Sequence, residues 1–421
     1  MRKRPARRSL LMRRDVALLW SSGLVSWIGI YTMFVALPVM VYERTNSPLA
    51  TALTVLGGAV PPVIIGQIAG VASDRHDRRR VMILTSTLMS VLTLGYLTIA
   101  DGPWWWLAVL NLIISSVGQF IGPAEHALLP ELVEEARLGE AASLNALNNN
   151  IARLIGPALG GVLFAQAGWS AAVLLNAGTY LLAAALVSGV TRNRPHASPL
   201  AATATRSLRL EWLEGAAHAW KTPHLRILLL LVALVMFGEG FVSALLAPLV
   251  TELIGTAQTL GWILSAQAVG GIAGALWATR VADRHDPVRL LGWAALSAGL
   301  LLAVTFNYAL FYPKAWPAVL LTGLAGVPFA VFAATQLQAL QILTSPGLRG
   351  RTFALAWGLN GLAQLVGITL AGLAAERWGV LVINVDAAGY LLAGIAALVI
   401  TQSRSSRPAS KHPGANDPDI R

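Results

Sequence analysis

Glu239 is the residue whose setting most needs an explanation. It stands in Met236-Phe237-Gly238-Glu239-Gly240-Phe241, deep inside an apolar run and flanked by glycines that would let a substrate or another backbone approach. A carboxyl at that depth can load and release a proton or meet a cation, and charges within apolar spans are costly enough that most serve a function. The structural alternative is a neutral acid bonded to a neighbouring helix. Arg153 is a second such charge, one turn before Pro157. Proline lacks an N–H, so the carbonyl of residue 153 loses its helical partner. The guanidinium can bond that carbonyl or face an anion. Asp386 is the third. Its counterpart in the first half of the chain is the neutral Asn176, which favours structural hydrogen bonding over proton coupling. Asn111, Gln119, Gln267, Gln336, Gln338, Gln341, Asn360 and Gln364 add scattered polar groups. Lining that is mostly apolar fits an amphipathic small molecule better than a sugar or a phosphate.

No arrangement for enzymatic chemistry accompanies these charges. The glycine-rich stretches lie in apolar runs and lack the lysine of a phosphate-binding loop. There is no cysteine, and the seven histidines show no close ligand spacing. Neither a cofactor nor a metal is expected, and the chain does not read as an enzyme.

The elements that position the charges are membrane spans. The chain is 56% hydrophobic and 12% charged, about half the charge fraction of a soluble protein, with a mean hydropathy of +0.63. Twelve apolar runs are each long enough to cross a bilayer as a helix. They are residues 16–42, 50–72, 81–99, 104–122, 141–166, 169–189, 225–254, 260–282, 290–311, 316–343, 352–375 and 380–400. The fold class is therefore an all-α integral membrane protein. Pro38, Pro61, Pro157, Pro248 and Pro328 fall within spans and are expected to kink or loosen them. Trp104, Trp105, Trp106 and Trp378 fall at span edges, where indole rings favour the headgroup zone.

Charge fixes the expected orientation. Of 31 Lys and Arg, 27 fall on the side of the amino-terminal arm. Only Arg44, Lys314 and Arg377 fall on the other side, and Arg153 lies within a span. This asymmetry places both termini in the cytoplasm. It also accounts for the net charge of +11 without a nucleic-acid partner. The lipid bilayer is the one partner that composition demands, and the chain is expected to be a monomer.

The chain repeats itself. Asp74-Arg75-His76-Asp77 returns 209 positions later as Asp283-Arg284-His285-Asp286. Leu154-Ile155-Gly156 returns as Leu365-Val366-Gly367 at a shift of 211, and Tyr180-Leu181-Leu182 as Tyr390-Leu391-Leu392 at 210. Shifts this similar in separate segments describe two homologous six-helix bundles. The expected division is a bundle with a basic arm at 1–190, a linker at 191–223, a second bundle at 224–402 and a polar tail at 403–421. Part of the linker, residues 208–220, mixes apolar and charged residues and reads as a helix along the membrane surface.

Gly70-x-x-x-Asp74-Arg75-x-x-Arg78-Arg79 resembles the loop 2–3 signature of the major facilitator superfamily. Asp77 replaces the usual glycine before the basic pair, a departure that can alter the turn. The resemblance implies a conformational latch in which Gly70, Asp74, Arg75, Arg78 and Arg79 grip the other bundle. Asp283 and Arg284 belong to a decayed second copy. The alternative is topogenic charge alone. In span five, Ala152 to Gly161 is similar to the superfamily's antiporter motif, with Gly156, Pro157, Gly160 and Gly161 giving a small face for close helix approach. In the family that face meets span eight, where Gly270, Gly271 and Gly274 are similarly small. The run Pro123 to Pro130, Asn145 to Asn148, and Leu348 to Arg351 resemble the branch containing macrolide-efflux proteins and enterobactin exporters. The resemblance implies a secondary transporter of the bacterial inner membrane. It would export a drug-like or siderophore-like small molecule in exchange for protons by alternating access. An importer or lysophospholipid flippase of the same fold is the rival within transport, and a non-transporting receptor or scaffold is the rival outside it.

Overall fold

Hydrocarbon offers no partner to an open backbone N–H or C=O, so a spanning chain must bond within its own segments. The computed structural model describes residues 9–66, 69, 76–191, 217, 219–281 and 286–405, and its regular elements are all helical among these residues. In chain order they are α1 (Arg14–Thr45), α2 (Pro48–Ile64), α3 (Arg78–Thr98), α4 (Trp105–Gly118), α5 (Ile121–Leu132) and α6 (Leu138–Ser188). The second half contains α7 (Pro223–Leu253), α8 (Ala257–Val281), α9 (Pro287–Asn307), α10 (Ala315–Leu343), α11 (Arg349–Trp378) and α12 (Asn384–Ser405). Ten stretches of the described residues have the length and apolarity of a span. One of them covers α6, which crosses twice, and the shorter α2 adds another crossing, so twelve crossings result.

Reversal within α6 depends on one residue. Gly168 adopts φ 77° and ψ −175°, a region closed to side-chain-bearing residues. Both ends of α6 then lie at the same end of the bundle: Leu144 C=O accepts from Trp20 Nε1 at 2.9 Å, and Thr191 beyond the far end bonds Asp15. Gly379 repeats this conformation 211 residues later, at φ 78° and ψ 174°, between α11 and α12.

The repeat also shows in packing. A Cβ on Gly156 would meet the Ile28 carbonyl on α1 at 3.0 Å, and one on Gly367 would collide with the Phe237 carbonyl on α7. Likewise, a Cβ on Gly29 would reach Asn176 Oδ1 at 2.5 Å, and one on Gly238 would reach Asp386 Oδ1 at 2.8 Å. Each half is thus built on close approach of its first helix to its fifth and sixth. The second Asp of the repeated string begins a helix in both copies. Asp77 accepts from Arg80 N–H at 3.0 Å and Asp286 from Arg289 N–H at 2.9 Å. In place of the usual glycine, Asp77 caps the N-terminus of α3.

One expectation changes. Span four does not end at residue 122. Helix resumes as α5 and runs to Leu132, because Pro123 falls in its first turn, where proline costs no hydrogen bond. Most of the expected surface helix at 208–220 lies outside the described residues. Ala219 joins the apolar core of the second half, and Arg226 lies over the exposed Trp220 ring at 5.1 Å.

At the arginine-poor end, one apolar cluster joins the halves. It runs from Met33 to Val41 on α1 and includes Ala247 and Val250 on α7 and Leu260 and Ile263 on α8. Gly156→Val is expected to lower stability by about 1–3 kcal/mol through overpacking, read as a lower thermal denaturation midpoint in detergent. Gly178, with nothing within 4 Å of a built Cβ, should accept alanine without loss. Equal midpoints for Gly156→Val and the wild type would refute the close-approach account.

Candidate functional site

Glu239 sits 16 residues into the 31-residue α7, about 24 Å along the helix and near mid-span. Its place in the repeat between Gly238 and Gly240 has a packing cause. A Cβ at Gly238 would meet Asp386 of α12, and one at Gly240 would meet the Gln364 carbonyl of α11 at 2.5 Å. The two glycines therefore draw α11 and α12 against α7 and leave the carboxyl between them. Tyr390 Oη donates to Glu239 Oε1 at 2.8 Å from the facing turn of α12. Ser243 Oγ donates to the Glu239 carbonyl at 2.8 Å and accepts from Gln364 Nε2 at 3.4 Å.

Arg153 stands on α6 of the other half, and its charge is felt at Glu239 without an ion pair between them. The side chain is exposed, and among the described residues no hydrogen bond or ion pair to it is found. The expected bond to its own freed carbonyl is not made. Proline's disturbance of the helix is taken up nearby instead: Ala158 N–H donates to Ser265 Oγ of α8 at 3.1 Å, and Thr32 Oγ1 donates to the Gly156 carbonyl at 3.3 Å.

Asp386 is fully buried, and neither carboxylate oxygen has a hydrogen-bond partner. The structural hydrogen bonding expected from its match to Asn176 is therefore absent. Its charge is close enough to act on Glu239. Burying an unpaired carboxylate costs far more than burying the neutral acid, and Asp386 lies against Gly238, next to Glu239. Tyr390 was legible only as a repeat of Tyr180. Its role as donor to Glu239 spans 151 positions and left no local signal.

The antiporter-like face divides its contacts. Gly156 and Gly160 pack on α1, where a Cβ at Gly160 would lie 2.6 Å from the Thr32 carbonyl. Gly161 and Pro157 meet α8 as expected, but at Ala257, Gln258 and Gly261, near its start. Gly270 and Gly274 are turned away onto α10, against Gly323 and Val327. The glycines of span eight thus split between two neighbours, because the stripe at 270–274 is more than two helical turns from Gly261.

Of the loop 2–3 residues, Gly70, Asp74 and Arg75 lie outside the described residues, as do Asp283 and Arg284. Arg78 bonds Glu131 and the Ala127 carbonyl on α5, the latter at 2.9 Å. Arg79 bonds the Val187 carbonyl at 3.2 Å and that of Ser188 at the end of α6. These contacts lie within the first half.

One further acid escaped the sequence reading. Glu125 on α5 is 7% exposed, facing Gly23 of α1 and Asn145 and Asn148 of α6. Ending span four at residue 122 had placed it in a loop.

The family model described as transmembrane secretion effector matches residues 9–417. The chain belongs to this family of the major facilitator superfamily. It is a membrane transporter of the superfamily's efflux branch, and not an enzyme. It is 26% identical to the multidrug efflux pump Tap of Mycolicibacterium fortuitum over 95% of this chain and 98% of that protein. Macrolide efflux protein A of Streptococcus pyogenes is 25% identical over 86% of this chain and 89% of its own. Among solved structures, a bacterial homologue of the iron transporter ferroportin in an inward-facing state matches with a TM-score of 0.73 at 19% identity, covering 94% of this chain and 100% of that one. A bacterial homologue of the lysosomal transporter Spinster, also inward-facing, matches with a TM-score of 0.67 at 15% identity, over 94% of this chain and 96% of that one. These structural likenesses speak for the fold alone.

Tyr390→Phe removes the hydroxyl donated to Glu239 and is expected to cost about 1–3 kcal/mol, the penalty of an unpaired buried polar group. Thermal denaturation of the purified transporter measures it. A midpoint equal to the wild type would mean that the bond contributes nothing in the folded state.

Proposed function

We propose that this transporter is a proton-driven exporter of an amphipathic, drug-like small molecule, working by alternating access in the bacterial inner membrane with both termini in the cytoplasm. The observation that carries this reading is a carboxyl near mid-span, Glu239, set between two close-packed glycines and bonded by Tyr390, with a second intramembrane charge, Arg153, on the opposite half. While Glu239 is charged, its attraction to Arg153 ties α7 to α6. A proton arriving on Glu239 removes that attraction, and the halves are freed to move apart. A cationic substrate would compete with the proton for the same carboxyl, and mutual exclusion at one site couples two opposed fluxes. Trp27 and Tyr31, whose rings lie 6.0 Å apart on α1, stand beside the Gly156 contact and supply aromatic surface for an apolar substrate body. Export as the direction is supported by the relatives named for multidrug and macrolide efflux and by the antiporter-like face in α6.

The test is accumulation of ethidium and of a macrolide in efflux-deficient cells, with and without a protonophore. Wild type is expected to lower accumulation only while the gradient stands. Glu239→Gln, at equal expression, is expected to lose roughly tenfold or more of that export, because an intramembrane charge is removed. Asp386→Asn, which copies Asn176 of the first half, is expected to retain it. Export by Glu239→Gln at the wild-type rate would move the coupling site to Asp386. Transport unaffected by the protonophore would remove the proton from the mechanism.

A further inference from the structure

The arginine-poor end of the molecule is fastened by carboxylates that the coupling scheme does not use. Glu376, in the last turn of α11, reaches across to the first half. Its Oε1 accepts from Ser47 Oγ–H and, at 3.3 Å, from Leu49 N–H. These donors form the N-terminus of α2, where the first turn has free N–H groups and a positive dipole end. An anion from one half therefore caps a helix of the other. A second fastening lies nearby, where Tyr42 Oη on α1 donates to Glu252 Oε2 on α7 at 2.9 Å. Between described residues, the hydrogen bonds joining the halves are these three and the Ala158–Ser265 bond, all in the arginine-poor half.

The surroundings leave both carboxylates without a paired cation. Arg44 is turned to the Gly102 carbonyl at 3.0 Å, and Arg377 lies over the Trp378 ring at 5.7 Å. No ion pair to Glu376 or Glu252 occurs among the described residues. At this end of the packed helices stand also Glu43 and Tyr42 on α1, with Asp101 before α4. Behind the fastening the halves are pressed together: a Cβ on Gly372 of α11 would lie 2.6 Å from Ala52 Cβ of α2.

We propose that Glu376, aided by Glu252, is a charge-dependent latch on the external face. With Glu376 charged, it caps α2 and the external side stays shut. Without that charge the attraction to the helix end and the charge-assisted bonds weaken, and the halves part on that side. The claim rests on the transport reading and the orientation given above, but its test needs no substrate.

Because the chain has no cysteine, Trp105→Cys and Trp316→Cys place two spin labels alone, on exposed positions of opposite halves at this end. Double electron–electron resonance in nanodiscs then reads their separation. At a pH of about 7.5, Glu376→Gln is expected to raise the long-distance population roughly three- to tenfold over the wild type. Ser47→Ala, which removes one donor but keeps the carboxylate, should raise it partway. Size-exclusion profiles confirm that each variant is folded. Separations in Glu376→Gln equal to those of the wild type would overturn the latch. If no substrate is exported while the separations behave as described, the latch stands and the export reading falls.

Discussion

The architecture depends on backbone brought against backbone where no side chain intervenes. In the first half, α1 lies on α6 at Gly156 and Gly160. In the second, α7 lies on α11 at Gly367 and Gly240. In lipid, where apolar side chains gain little from leaving one apolar phase for another, such contacts are the main source of helix cohesion. They make each half a stiff body. The boundary between the halves is drawn close in the same way, at Gly161 and Gly261 and again at Gly372, and the hydrogen bonds between the halves lie along it.

That division explains the placement of charge. Arg153 and Glu239 stand on different bodies, and Glu239 is also bonded within its own through Tyr390. Glu376 and Glu252 bond across the boundary at its arginine-poor end. Arg78 and Arg79, in contrast, fasten helices of a single body together. Asp386 is buried inside the second body, against Gly238 of α7.

Much of the fold was legible because it is periodic and redundant. Hydropathy gives the spans, arginine asymmetry gives their expected orientation, and the repeat supplies the same answer twice. The four-residue repeat was readable as kinship but not as cause, since nothing in the string says that its last Asp caps the next helix. Glu239 was legible as an isolated acid in an apolar run. Its partner Tyr390 was not, and neither was the pairing of Ser47 with Glu376 across 329 positions, because both depend on how the halves dock. The end of α5 was misplaced for a local reason. A proline that stops a helix and one that starts the next look alike until the turn at residues 119–120 is seen. Similarly, the glycines of span eight announced a close contact without naming the neighbour.

Gly168 and Gly379 have an outcome for the arginine-poor face as a target. Each reverses the chain within a residue or a few, so spans five and six, like eleven and twelve, are joined with almost no loop. A protease on that side finds no strand of chain long enough to enter its cleft at these turns, and an antibody finds no protruding epitope there. What the molecule shows its surroundings on this face lies in the other short turns, such as those around Asn46, Asp101 and Lys314. The arginine-poor face is nearly bare.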